Sequence, residues 1–387
     1  MDRDEISRFS AELMNMLIQG SIGLSTIQGI ELGFFDWIPH NKPITAQELA
    51  VQLGYDLGKV ERWLRFAALF GYISRSDRGY TLTTKGMLLR RGTPTPDLLG
   101  LHHMFGYFTK AIQHSKDAYL KGVGLDSITQ GTISRDYIPR VASQLSKASV
   151  AFFQRAGLST GHTILDLGCG DGSVLREIAK TLPGISATGV DMNIHTLELG
   201  KRKNIEMGLQ DQIDLQAGDV TNMSRFPENA FDWVYAFNVF HFLPVNKREK
   251  FIREMLRISR YGIFFNQVIA NSVQTLSVDV LLATLFTDYT GFFSETEADE
   301  IIRKVSAQNY AFMPVIQGES RLVSIYTVTH DLPLTRIADI PVDQRNLLQT
   351  RDIRTAKGLL TTNPSVLAEL GIDAEAVRKP VIRALFP

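Results

Sequence analysis

The chain has 387 residues, 44% of them hydrophobic, which is enough for two or three domains, each with a buried core. Its 41 Lys and Arg balance 41 Asp and Glu, so there is no overall basic surface for a phosphate backbone, and nucleic acid is disfavoured as the main partner. A single cysteine, Cys169, excludes an internal disulfide and a cysteine-built zinc cage, while the charged opening and the lack of a long apolar run predict no signal peptide, no membrane partner and a cytoplasmic protein.

From Glu12 to Ile38 apolar residues recur at helical spacing, and Pro39 and Pro43 punctuate the end. Thr45 with Glu48 forms a capping box that opens a helix closed by Gly54. A second helix runs from Leu57 to Phe70, with Val60, Leu64, Ala67 and Ala68 on one face and Lys59, Arg62 and Arg65 largely on another. Two short strands, Tyr72 to Ser74 and Tyr80 to Thr83, flank a turn. Helix, helix, hairpin is the order of a winged helix. Its basic residues could meet DNA phosphate, but aromatic and aliphatic residues dominate, which favours a packing or dimerisation module. Thr93 to Pro96 reads as a linker, and Leu98 to Phe153 as mostly helical. The neighbouring His102 and His103 point to opposite sides of that helix and are assigned no chemistry.

From His162 short apolar runs alternate with amphipathic helices, the pattern of a parallel sheet with crossover helices. Strands are expected at Thr163 to Leu167, Ala187 to Val190, Ile213 to Leu215, Phe231 to Phe237 and Ile263 to Val268. Two more, near Phe312 to Ile316 and Leu322 to Val328, read as a hairpin, which puts an antiparallel last strand on an otherwise parallel sheet. Past His330 come a linker and short helical segments. The expected domains are 1–97, winged-helix-like; 98–160, a helical connector lining an acceptor pocket; 161–330, a nucleoside-binding α/β sheet; and 331–387, a helical extension without an assigned role.

The strongest chemical signal is ILDLGCGDGS, Ile164 to Ser173, between the first strand and first helix of that sheet. Gly168, Gly170 and Gly172 let the backbone turn tightly and approach a ligand. Asp191, nineteen residues after Gly172, ends the second strand, where a carboxylate can take both hydroxyls of a ribose. The spacing is GxGxG rather than the GxGxxG of dinucleotide sites, and Asp166 adds negative charge where a diphosphate would be repelled. A phosphate-free nucleoside carrying a cation fits, and S-adenosylmethionine is such a compound.

These residues resemble the class I S-adenosylmethionine-dependent methyltransferases: Asp166 to Gly172 matches the first motif, Gly189 to Asp191 the second and Gly218 to Val220 the third. The resemblance implies a Rossmann-like seven-stranded sheet, with Gly168 and Gly170 beside the methionine part of the cofactor, Asp191 on the ribose, Asp219 near the adenine amino group and Val220 against the ring. Phe237 and Asn238 fall at the cofactor as well; Asp219 could alternatively cap a turn. To about His330 the chain is similar to small-molecule O-methyltransferases with a winged-helix-like dimerisation domain, which implies a homodimer and a small-molecule acceptor. His241, in AFNVFHFLP, falls on that family's general base. Phe242 replaces the aspartate that follows it, Gln267 and Phe292 stand where two glutamates orient the histidine, and Phe237 replaces a lysine.

Deprotonating a phenol of pKa about 10 with a histidine of pKa about 6.5 is uphill by about 5 kcal/mol unless charge is stabilised. Without the carboxylates an acidic hydroxyl, a stabilised carbanion, a thiol or an amine becomes a more plausible nucleophile. Phe105, Tyr107, Phe108, Phe152, Phe153, Phe240, Phe242, Phe286, Tyr289, Phe292 and Phe293 crowd the segments facing the family's acceptor pocket and predict a hydrophobic or aromatic acceptor. No metal is expected. The first reading is therefore methyl transfer, to oxygen before carbon, nitrogen or sulfur. A second keeps the cofactor as a fixed positive charge for a rearrangement, decarboxylation or hydroxylation, and a third is a ligand-sensing regulator using the winged helix.

Overall fold

The computed structural model describes residues 3–90, 96–128, 131, 149–306, 310–315, 320–327 and 331–386. They fall into two compact units, Met1–Phe105 and Gly106–Pro387, divided inside the helix Pro96–Lys121, a little beyond the boundary expected at residue 97. Most of the expected linker and part of the helical connector lie outside the described residues, as do the side chains of His102, His103 and Phe105.

The first unit begins with the helix Arg3–Glu31, followed by the helical turn Phe34–Trp37. Helix Ala46–Leu53 carries the expected capping box: Thr45 N–H donates to Glu48 Oε2 at 2.8 Å and Glu48 N–H to Thr45 Oγ1 at 3.1 Å. Helix Leu57–Leu69 is capped by Asp56 and followed by strands β1 (Ile73–Ser76) and β2 (Gly79–Leu82), paired antiparallel. Phe34, Phe35, Leu49, Trp63 and Leu64 form the core, while Lys59, Arg62 and Arg65 are exposed.

The second unit holds a seven-stranded sheet: β3 (Thr163–Leu167), β4 (Ser186–Asp191), β5 (Ile213–Ala217), β6 (Phe231–Ala236), β7 (Ser259–Val268), β8 (Tyr310–Val315) and β9 (Ser320–Tyr326), in the order β5-β4-β3-β6-β7-β9-β8. The first five are parallel, and β9 runs antiparallel to both β7 and β8. This is the expected fold class. Strand β7 starts at Ser259, earlier than Ile263, because the polar stretch Ser259 to Gly262 pairs with β6 through a register shift that hydrophobicity alone does not show.

Side chains alternate between two buried faces. Trp233, Tyr235 and Phe264 join one core with the helix at 149–156 and the helices Ser173–Thr181 and Ile194–Glu206; Val234, Ala236, Ile263 and Phe265 join the other, with Val245–Ile258 and Glu295–Ser306. The segment beyond residue 330 belongs to the first face. Its helices Val342–Thr350, Ala356–Thr361, Pro364–Glu369 and Ala374–Leu385 bury Leu348, Leu359, Leu367 and Val381 there. Phe386 stacks on Tyr326 of β9 at 5.7 Å and meets Trp233 edge-on at 5.0 Å.

Candidate active site at the carboxyl ends of the strands

From β3 the chain runs outward through β4 to β5, then returns to β6 on the other side, so the strand order reverses between β3 and β6. Open α/β sheets bind ligands at such a reversal, outside the carboxyl ends. The glycine loop sits there. Gly168, Gly170 and Gly172 have φ of +81°, +55° and +72°, the left-handed region that glycine tolerates. Gly168 and Cys169 donate their N–H groups to Val190 O of β4 at 2.8 and 3.1 Å. A Cβ on Gly168 would lie 2.4 Å from Val239 Cγ2. Gly168→Ala is therefore expected to cost about 1–3 kcal/mol, read as a lower urea midpoint. An unchanged midpoint would show that the loop is not held as described.

Asp191 closes the loop from the end of β4: its carboxylate accepts from Gly170 N–H and Asn193 N–H, each at 2.8 Å. Burial raises its pKa against these and the Met192 backbone bond. A carboxylate has about four lone-pair sites, so capacity remains for a ligand hydroxyl. Asp166, 3% exposed, accepts from Tyr235 Oη at 2.5 Å; burial raises its pKa well above the usual carboxylate range, which the Tyr235 bond only partly offsets. Burial thus favours the neutral form of this carboxyl, which the sheet holds through Tyr235, in place of the negative charge expected there. Asp219 is exposed and does cap a turn, accepting from Thr221 N–H at 2.8 Å, with Val220 buried beside it. Cys169 is buried and its thiol is pushed up by burial, then by Asp166, consistent with a small loop residue.

One group escaped the sequence reading. Asp171 is fully buried and takes Arg176 and Lys203, both at 2.8 Å, with Ser173 Oγ also donating to it. Although burial pulls its pKa upward, the Arg176 charge and then Lys203 and Ser173 hold it below the ordinary value. The ion pairs buttress the loop from behind and occupy one cation from each of the two neighbouring helices. That donor set, carboxylate oxygens and bare backbone, fits a phosphate-free cationic nucleoside better than a diphosphate.

Across the crevice, Asn238 stands just after β6 with φ of +58°, and pairs with Asn266 of β7: its N–H donates to Asn266 Oδ1 at 2.6 Å and its Oδ1 accepts from Asn266 Nδ2 at 2.7 Å. The Phe237 ring packs on Phe153 at 5.2 Å. The short 3-10 helix Phe240–Phe242 then carries His241. Arg248, fully buried, anchors this turn from the next helix. It meets Glu297 at 3.0 and 3.1 Å, donates to Gly291 O at 2.5 Å and to Leu243 O at 3.3 Å, and lies 4.6 Å over Phe293. Thr290 donates its N–H to His241 O at 2.7 Å.

The His241 ring sits against Phe242, Tyr289 and Phe292, at 4.6, 5.8 and 5.4 Å between centroids. Among the described residues no side chain hydrogen-bonds either ring nitrogen, and burial, with the Arg248 charge second, pushes its pKa down to about 3. Tyr289 donates to Asp279 Oδ1 at 2.5 Å. Gln267 is buried, and among the described residues neither of its amide atoms finds a hydrogen-bond partner. The expected aromatic lining thus divides. Phe242, Phe286, Tyr289 and Phe292 cluster with His241, whereas Phe152, Phe153, Phe240 and Phe293 belong to the two sheet cores. Among the described residues no group of three or more His, Cys, Asp or Glu could hold a metal, and no helix is long and apolar enough to cross a membrane.

Residues 164–262, the glycine loop to the middle of β7, match the family described as methyltransferase domain. A sterol 24-C-methyltransferase of Eremothecium gossypii is 42% identical over 82 residues, 21% of this chain and 21% of that protein, so the chain matches only about a fifth of that relative's length. Among solved structures, an O-methyltransferase family protein of Burkholderia thailandensis superposes with a TM-score of 0.64 at 14% identity, covering 82% of this chain and 97% of that one. Human N-acetylserotonin methyltransferase, in complex with S-adenosylmethionine, does so at 0.63 and 16% identity, covering 84% and 98%. At such identities the likeness is one of fold.

Proposed function

We propose that this chain, which carries a methyltransferase domain at residues 164–262, transfers a methyl group from S-adenosylmethionine to a hydrophobic or aromatic small molecule. The observation that carries this reading is the joined Gly170–Asp191 pair at the strand-order reversal, a bare-backbone turn held by a carboxylate with spare acceptor capacity. In it Asp191 takes the ribose hydroxyls, Gly168 and Gly170 pass the amino-acid end, Val220 packs on the adenine beside Asp219, and Phe237 and Asn238 close the opposite wall. When bound, the cofactor supplies a methyl group already activated on a sulfonium. The chain's own contribution is alignment, which in well-oriented systems is worth about 7–11 kcal/mol.

Phe242, Phe286, Tyr289 and Phe292 hold the acceptor's apolar body near His241. The imidazole, neutral down to about pH 3, is too weak a base to hold the acceptor's proton, which passes to solvent before the oxygen takes the methyl group and S-adenosylhomocysteine leaves. The acceptor group is accordingly an acidic hydroxyl, and likeness in fold to O-methyltransferases over more than four fifths of the chain favours oxygen over the carbon suggested by the sterol relative. With labelled donor and a graded series of phenols, mass spectrometry is expected to show methylation of the more acidic hydroxyls. Turnover should show no inflection from His241 between about pH 5 and 8. Fastest transfer to the least acidic phenol, with an inflection near pH 6.5, would reject the assignment.

One observation favours a second reading: neither Gln267 nor Phe292 offers the carboxylate that would support a base. The cofactor would then act as a fixed charge, and S-adenosylhomocysteine formed in step with product rules this out.

We also propose a homodimer. Along helix Arg3–Glu31 the exposed Ile6, Phe9, Leu13, Met16 and Leu17 follow a heptad-like spacing, which a second copy of the helix would cover. Changing Leu13→Asp together with Leu17→Asp is expected to halve the mass seen by light scattering. A dimer that survives both changes would place the interface elsewhere.

A further inference from the structure

The geometry points to a second ligand site, for an anionic amphiphile, in a cavity of about 610 Å³ between the helix at 149–156, strand β9 and the C-terminal helices. That volume suits a small molecule. None of its lining residues belongs to the glycine loop, to the end of β4 or to the His241 cluster.

Two features define the occupant. The floor is apolar, made by Phe152, Tyr326, Leu360 and Ile382. The wall carries Arg155, Arg378, Lys379 and Arg383 against one lining carboxylate, Glu375, with Asp373 near enough to act on Lys379, a local positive excess in a chain whose charges balance overall. Arg155, Lys379 and Arg383 are exposed, and Arg378 is half-buried. Among the described residues none of the four is ion-paired. Arg378 is aimed rather than free: its guanidinium donates to Leu359 O and Thr362 O, which fixes the plane of the group at the cavity wall. Four cations against two nearby carboxylates leave a net positive cluster that an anion would relieve, and guanidinium forks match a carboxylate or phosphate head. An apolar body against Tyr326 and Ile382 with such a head satisfies both features at once. The segment beyond residue 330, which lies outside the methyltransferase pattern, supplies most of the wall.

The test uses the full chain and titration calorimetry with four probes sharing one chain length: dodecanoate, dodecyl phosphate, dodecanol and dodecyltrimethylammonium. One or both anions are expected to bind, the tighter one naming the head group, and the alcohol and the cation at least tenfold more weakly. Arg155→Gln, Lys379→Gln and Arg383→Gln, all at exposed positions, are expected together to weaken the anion at least tenfold with an unchanged melting temperature. Ile382→Trp, which fills the cavity, should abolish binding, while saturating S-adenosylhomocysteine should leave it intact. The proposal is overturned if neither anion binds, if the alcohol binds as tightly, if the triple variant keeps full affinity, or if S-adenosylhomocysteine displaces the probe.

Discussion

Asp191→Ala is expected to lower the affinity for S-adenosylhomocysteine at least about a hundredfold. The carboxylate is the proposed ribose acceptor and also the hinge pin of the loop, since Gly170 N–H and Asn193 N–H both end on it at 2.8 Å. A hydrogen bond to a charged group is worth about 1.5–3 kcal/mol, so losing two to a ligand, or one plus the loop's geometry, passes the 2.7 kcal/mol that a hundredfold requires. Asp191→Asn separates the two roles. It keeps one oxygen acceptor and is expected to fall between wild type and alanine in titration calorimetry. Affinity within threefold of wild type in the alanine variant would remove Asp191 from the site and with it the central support for the proposed cofactor.

Arg248→Ala is expected to produce the largest loss of stability, about 3–5 kcal/mol, because it strands a partner of a buried ion pair. The side chain is completely buried and satisfies Glu297, Gly291 O and Leu243 O together, so its removal leaves several groups without a donor. Urea unfolding followed by tryptophan fluorescence measures the loss. Arg248→Lys keeps the charge but not the planar fork and is expected to recover less than half of it. A midpoint shift below about 1 kcal/mol equivalent in the alanine variant would mean that the clamp is not the anchor of the 240–243 turn.

Much of this was legible in the sequence wherever the cause is local. The Thr45–Glu48 box, the glycine loop and the strands of the second unit each lie within a few residues, where spacing alone fixes capping, turn conformation and facing. What stayed hidden depends on distant partners. Asp171 reads as one more loop acid until Lys203, on the next helix but one, is seen to reach it. Arg248 looks like a surface charge of an amphipathic helix, yet the chain that buries it comes from residues 290–297. The segment after residue 330 shows helical spacing but no address. Its place against Trp233 and Tyr326 follows from aromatic surface left uncovered on that face of the sheet.

The tether of His241 bears on how such a protein could change its trade. Thr290 holds that residue by its main-chain oxygen, and the imidazole itself is bonded to nothing among the described residues. The main chain of the turn is thereby held independently of the imidazole, while the rings at 242 and 292 pack around it. On the proposed function, a change of side chain at 241 alters the acceptor pocket while keeping the main-chain bond that holds the turn, which makes this position the natural place to begin redesign.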